Sequence, residues 1–235
     1  MSAVKRGDKS AVIAVIVLFL FGCQGSPDQQ VAALAAGFQQ DYRDIMLNKG
    51  GSATEPAFFI PDKNKLQLLE KMITKYQSRT TYIDSLGLTA NGKNRYKKLQ
   101  SDLQKLTWLY EGYRSRSSGY YLLPVFKQIT EDRQLSPDKK AKQLAMVLKN
   151  TNAYFQSAVN NLKSVSAADY EKAVQMNSKT VNYLQNTVPD SISKWQLHPE
   201  TEAALLLQRQ QNIPVIKNYI AWCESNRVAF FKHHF

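Results

Sequence analysis

The chain has 235 residues with 43% hydrophobic and 11% aromatic side chains, too apolar for a disordered tail and long enough for one large domain or two small ones. A formal net charge of +12 suits an anionic partner. The bases are scattered along helical patterns and no nucleic-acid module is recognisable, so nucleic acid is set aside; a solvated basic surface is the plain reading, and contact with an anionic surface is the alternative.

Lys5, Arg6 and Lys9 precede an uninterrupted apolar run from Ala11 to Phe21. This is the layout of a secretory signal peptide. A spanning helix needs roughly 20 apolar residues, so the run is short for permanent insertion. The next residues, Leu20-Phe21-Gly22-Cys23, resemble the bacterial lipobox, with Phe21 larger than the residue usual at its position. The resemblance implies cleavage after Gly22, a diacylglyceryl group on Cys23 and acylation of the new amino terminus, and several acyl chains make a stable anchor. Gln24, which is not an aspartate, implies the outer membrane, and the lack of an acidic run after it favours the periplasmic face. An ordinary signal peptide with a chance cysteine, or an uncleaved anchor, are the alternatives left open. On the lipobox reading the chain divides into a signal peptide (1–22), a lipidated tether (23–30) and a helical domain (31–235).

From Pro27 to about Asn48, apolar residues recur at steps of three and four through Val31, Phe38, Tyr42 and Ile45, which predicts an amphipathic helix with Ser26 as its cap. A loop with Phe58-Phe59-Ile60 tucked under the helices follows. Asp62 caps a second helix expected to reach Leu86, with Gly87 as its stop. Thr89 opens a third to about Arg116, with Gly112 a weak point in its last turns. Ser115 to Gly119 breaks the period, and a short helix is expected from about Tyr120 to Glu131, entered through Pro124. Ser136-Pro137 starts a long helix striped by Leu144, Val147, Tyr154, Phe155 and Leu162. Ser166 to Asp169 imitates a capping box with Asp in its fourth place, and its helix is expected to run to Thr187, where Val188-Pro189 interrupts. The last helix runs from Pro199 to about Lys232 and is expected to kink about one turn before Pro214, or to break there. No period-two alternation persists. The expected class is all-α, an antiparallel bundle of about six to seven helices.

No enzyme signature is found. The serines sit in caps and loops, none in a Gly-x-Ser-x-Gly elbow, and the glycines are too dispersed to cradle a phosphate. His233 and His234 are neighbours and point about 100° apart on a helix, His198 sits beside a helix start, and there is no His-Glu-x-x-His, so no metal site and no cofactor are assigned. With Cys23 acylated, Cys223 has no partner in its own chain and reads as a buried thiol beside Trp222. The most unusual stretch is Trp108 to Arg116 followed by Tyr120-Tyr121. Trp108, Tyr113, Arg114, Arg116, Tyr120 and Tyr121 offer aromatic faces beside guanidinium groups, which suits a sugar, a peptide or an anionic group. The same residues also suit the core and rim of a helix corner.

From Pro56 to about Ile192 the order of features resembles the amino-terminal helical part of bacterial lipoproteins in domain-of-unknown-function family 885. The likeness is carried by Leu99 to Trp108, the Tyr120-Tyr121 corner, and Leu144 through Tyr154-Phe155 to Ala158-Val159-Asn160-Asn161-Leu162. It implies kinship with zinc-metallopeptidase-like lipoproteins, but their His-Glu-x-x-His helix lies in a later part that has no counterpart here, so no catalytic residue carries over. The expectation is a membrane-anchored, non-catalytic binding or scaffolding module whose partner is an envelope protein or an anionic polymer. An accessory subunit of such a peptidase is the alternative.

Overall fold

The computed structural model describes residues 25–46, 58–162 and 165–234. The signal segment, Gly22 and Cys23 lie outside that range, as do the side chains of His233 and His234. Seven α-helices and one 3-10 turn make up the described residues, with no strand among them. They are α1 (Pro27–Met46), α2 (Lys63–Thr80), α3 (Ala90–Ser115), α4 (Leu123–Glu131), α5 (Pro137–Asn161), α6 (Ala167–Lys194) and α7 (Pro199–His234). The 3-10 turn, Ser117–Gly119, joins α3 to α4.

The helix starts follow local chemistry. Gln29 N donates to Ser26 Oγ (3.4 Å) while Ser26 N donates to Gln29 Oε1 (2.9 Å), a reciprocal capping box at α1. Asp62 Oδ1 accepts from Lys65 N, and Thr89 Oγ1 from Gly92 N. Ser136 has the extended backbone of a cap, but its side chain makes no capping bond; Pro137 at the first helical position already removes one orphan donor.

Three boundaries differ from those expected. The second helix stops at Thr80, not Leu86: the Thr80 and Thr81 hydroxyls donate to carbonyls three residues back, and the N–H groups of Tyr82 and Ile83 reach back only three residues. The helical ladder tightens and ends there. The short helix begins at Leu123, because residues 120–122, which follow the 3-10 turn, are not helical. Pro189 does not interrupt α6, which continues to Lys194. A proline leaves the carbonyl four residues earlier without its donor. Arg209 of α7 supplies one, its Nη1 donating to the carbonyls of Leu184 (3.2 Å) and Gln185 (3.3 Å). Pro214 likewise lies within α7, which runs on unbroken.

Two groups of helices share the fold. In the first, α1, α2 and α3 run up, down and up. Asp28 lies against Gly92 where α1 and α3 start side by side, and Asp41 of α1 takes Lys75 Nζ (2.6 Å) and Tyr76 Oη (2.9 Å) from α2. Phe38, Leu69, Tyr76, Leu99 and Leu106 fill this core. In the second, α4, α5, α7 and α6 form a ring in which α5 and α7 run the same way and α6 runs against α7. Phe155 packs on Tyr219 (4.6 Å), Tyr170 on Trp222 (5.7 Å), and Ser193 donates to Glu202 at the other end. Tyr113 packs on both cores; its ring lies 5.8 Å from Phe59 and 5.2 Å from Tyr120.

Candidate ligand groove

The six residues singled out at the third corner do not stay together, because a helix spreads consecutive side chains around its axis. Tyr120 is fully buried; its hydroxyl donates to the Tyr113 carbonyl (3.0 Å) and accepts from Asn161 Nδ2 (3.1 Å). Burial pushes its phenol well above the ordinary range. Arg114 faces another side, where its Nη1 donates to Tyr110 Oη (2.7 Å) and lies 3.7 Å from Glu70.

Trp108, Arg116, Tyr121 and the edge of Tyr113 do converge. With Pro124, Lys172 and Met176 they line a groove of about 430 Å³ between α3, the 3-10 turn and α6. Trp108 is 64% exposed, an unusual position for so large an apolar side chain. The Arg116 guanidinium lies 4.4 Å over the Trp108 ring, and its Nη2 donates to the Trp108 carbonyl (2.9 Å). It is therefore held in place, with further N–H groups left to donate. Lys172 adds a second cation from α6.

Asp169 builds the corner. Its amide donates to Ser166 Oγ (3.2 Å), half of the expected capping box, but its carboxylate does not reach back. It accepts instead from Ser117 Oγ (2.8 Å), Ser118 N (3.1 Å) and Ser118 Oγ (2.5 Å), tying the 3-10 turn to the start of α6. On the opposite side of that turn Tyr219 Oη donates to the Ser117 carbonyl (2.9 Å). The turn also needs Gly119, since a Cβ there would sit 2.8 Å from the Gly112 carbonyl oxygen, a backbone atom with little room to give. Nothing in the sequence around Trp108 points to Lys172, Met176 or Asp169. Their only signal was the imperfect capping box, whose Asp is too short to close it.

Elsewhere the chemistry is quiet. The Cys223 thiol is buried, and burial pushes it up to about 12. It is expected to stay unreactive toward a disulfide reagent at pH 8 in the folded protein and to react at once on unfolding; rapid native labelling would contradict its burial. The His198 carbonyl accepts from Thr201 N and Glu202 N at the start of α7, leaving its ring in solvent. Among the described residues no three His, Cys, Asp or Glu side chains gather as a metal site would require, and no helix is long and apolar enough to cross a membrane.

No family model matches the sequence, and no curated protein does. The resemblance to family 885 thus rests on the residues quoted for it. Among solved structures the fold is similar to that of a Shewanella oneidensis chain of unknown function that is described as a lipoprotein, with a TM-score of 0.70 and 17% identity over 90% of this chain. The chain spans 39% of the length of that structure. At this identity the likeness is one of fold: the all-α architecture described above recurs as part of a longer chain.

Proposed function

We propose that this protein is a lipid-anchored, non-catalytic helical module of the bacterial envelope that binds an acidic envelope polymer in the groove at Trp108. The observation that carries the reading is the convergence, in one concavity, of an exposed Trp108, a stacked Arg116, Tyr121 and Lys172. Aromatic faces suit the apolar face of a sugar ring, and two cations suit its carboxylates. The lipobox at Cys23 and the fold likeness to a lipoprotein support anchoring, and Gln24 supports the outer membrane as its place.

Titration of the anchored protein with acidic glycan fragments, neutral fragments of the same length and acidic peptides tests this reading. The acidic glycan is expected to change the Trp108 emission, and Arg116→Gln or Lys172→Gln to weaken binding about tenfold, near 1.4 kcal/mol. Equal affinity for neutral fragments, or no effect of either substitution, would sink it. A second reading, an accessory subunit of a metallopeptidase-like lipoprotein, draws support from the match to part of a longer chain. Recovery of one zinc peptidase with the wild type, and no glycan binding, would favour it.

A further inference from the structure

The end of the first helix group remote from the groove carries two side chains that the fold leaves in water. Tyr82 is 83% exposed and Leu86 is 90% exposed, both on the link between α2 and α3. That link is not a slack loop. Leu88 is buried, Tyr96 Oη donates to the Thr80 carbonyl (3.1 Å), and Asp84 Oδ1 accepts from Leu86 N (3.0 Å). The turn around Asp84 therefore holds Leu86 outward in a defined place.

The link also lies beside the first residues of α1. A Cβ at Gly87 would come within 3.3 Å of Pro27 Cγ, and one at Gly92 would run into the Asp28 carboxylate. Pro27 is four residues after Cys23, which spans at most about 14 Å of extended chain. An acyl group on Cys23 would hold this end of the bundle at the bilayer surface. Arg79, Lys93 and Arg95 are exposed on the helix ends that flank the link, with Asp84 and Asp28 as the acidic side chains at the same end.

We propose that the link from Thr81 to Thr89 is a membrane-docking surface. Leu86 enters the acyl boundary, Tyr82 sits at headgroup level, and Arg79, Lys93 and Arg95 face anionic phospholipid headgroups. Tyrosine is suited to that depth because its ring is apolar and its tip wet. Acyl chains on a tether leave the domain free to tumble; a second contact beside the anchor fixes which end faces the lipid. The proposal rests on acylation of Cys23, and its test separates the two.

Leu86→Cys, Tyr82→Cys and Leu207→Cys would each carry an environment-sensitive dye in the full anchored chain, since Cys23 is blocked by lipid and Cys223 is buried. Leu207 is another exposed apolar position (56%), on α7. In vesicles containing anionic phospholipid and a spin-labelled lipid, dyes at Leu86 and Tyr82 are expected to shift to the blue and be quenched, and the dye at Leu207 to remain water-like. Leu86→Glu should return the dye at Tyr82 toward its value in water. Water-like emission at all three positions, with the protein still in the vesicle pellet, would overturn the docking surface and leave the anchor standing. A Cys23→Ala chain that is processed as the wild type is and still sediments with membranes would overturn the anchor itself, by sedimentation and gel mobility and not by emission, whereas release or an uncleaved precursor supports it.

Discussion

Replacing Asp169 with alanine is expected to destabilise the folded chain by about 2–4 kcal/mol, the largest single loss at any polar side chain outside the cores. The carboxylate takes three hydrogen bonds from Ser117 and Ser118, and Ser117 is wholly buried. Bonds to an ionised acceptor are roughly twice as strong as neutral ones, and removing the acceptor leaves a buried hydroxyl without a partner. Asp169→Asn keeps the shape and one acceptor oxygen and should lose about half as much. Urea denaturation followed by circular dichroism checks both, with an unchanged slope showing that only stability has moved. Because the same turn forms one wall of the Trp108 groove, the alanine variant should also show altered Trp108 emission in the native state. A loss under about 0.5 kcal/mol would mean that Tyr219 alone holds the turn.

The second large effect is expected at Arg209. Arg209→Met keeps the apolar stem but strips the Leu184 and Gln185 carbonyls of their shared donor, at about 1–2 kcal/mol. Pro189→Ala restores a backbone N–H to α6 opposite the Gln185 carbonyl, so the arginine should matter less once the proline is gone. The double variant is therefore expected to recover at least half of the loss. Additive losses in the double-mutant cycle would show that Arg209 and Pro189 do not compensate each other.

These two cases also mark where the sequence could be read and where it could not. The long helix after Ser136-Pro137 was legible because its apolar stripe, its start and its end are all local; it is found as α5, Pro137–Asn161. Pro189 reads as a break because the rule for proline is local too, while the donor that rescues the helix comes from α7. The end of α2 is hidden from the sequence for a related reason. Ile83 and Leu86 continue the helical spacing, and nothing in the spacing records that Leu86 faces solvent. Half of the groove was visible in the aromatic and basic run on α3. Lys172 and Met176 were not, since only the packing of α6 against the 3-10 turn brings them there.

The length of α3 has a further meaning. Its 26 residues measure about 39 Å at 1.5 Å per residue, with the tether and the exposed Leu86 near its first turn and the Trp108 groove near its last. Salt at physiological strength screens charge over about 8 Å, so a helix standing off the bilayer carries the groove several screening lengths away from the phospholipid headgroups. If the docking proposal holds, Arg116 and Lys172 would be free of competition from the membrane at the other end of the same helix. On that proposal one rod, with a different electrostatic neighbourhood at each end, would hold a surface and sample what lies beyond it.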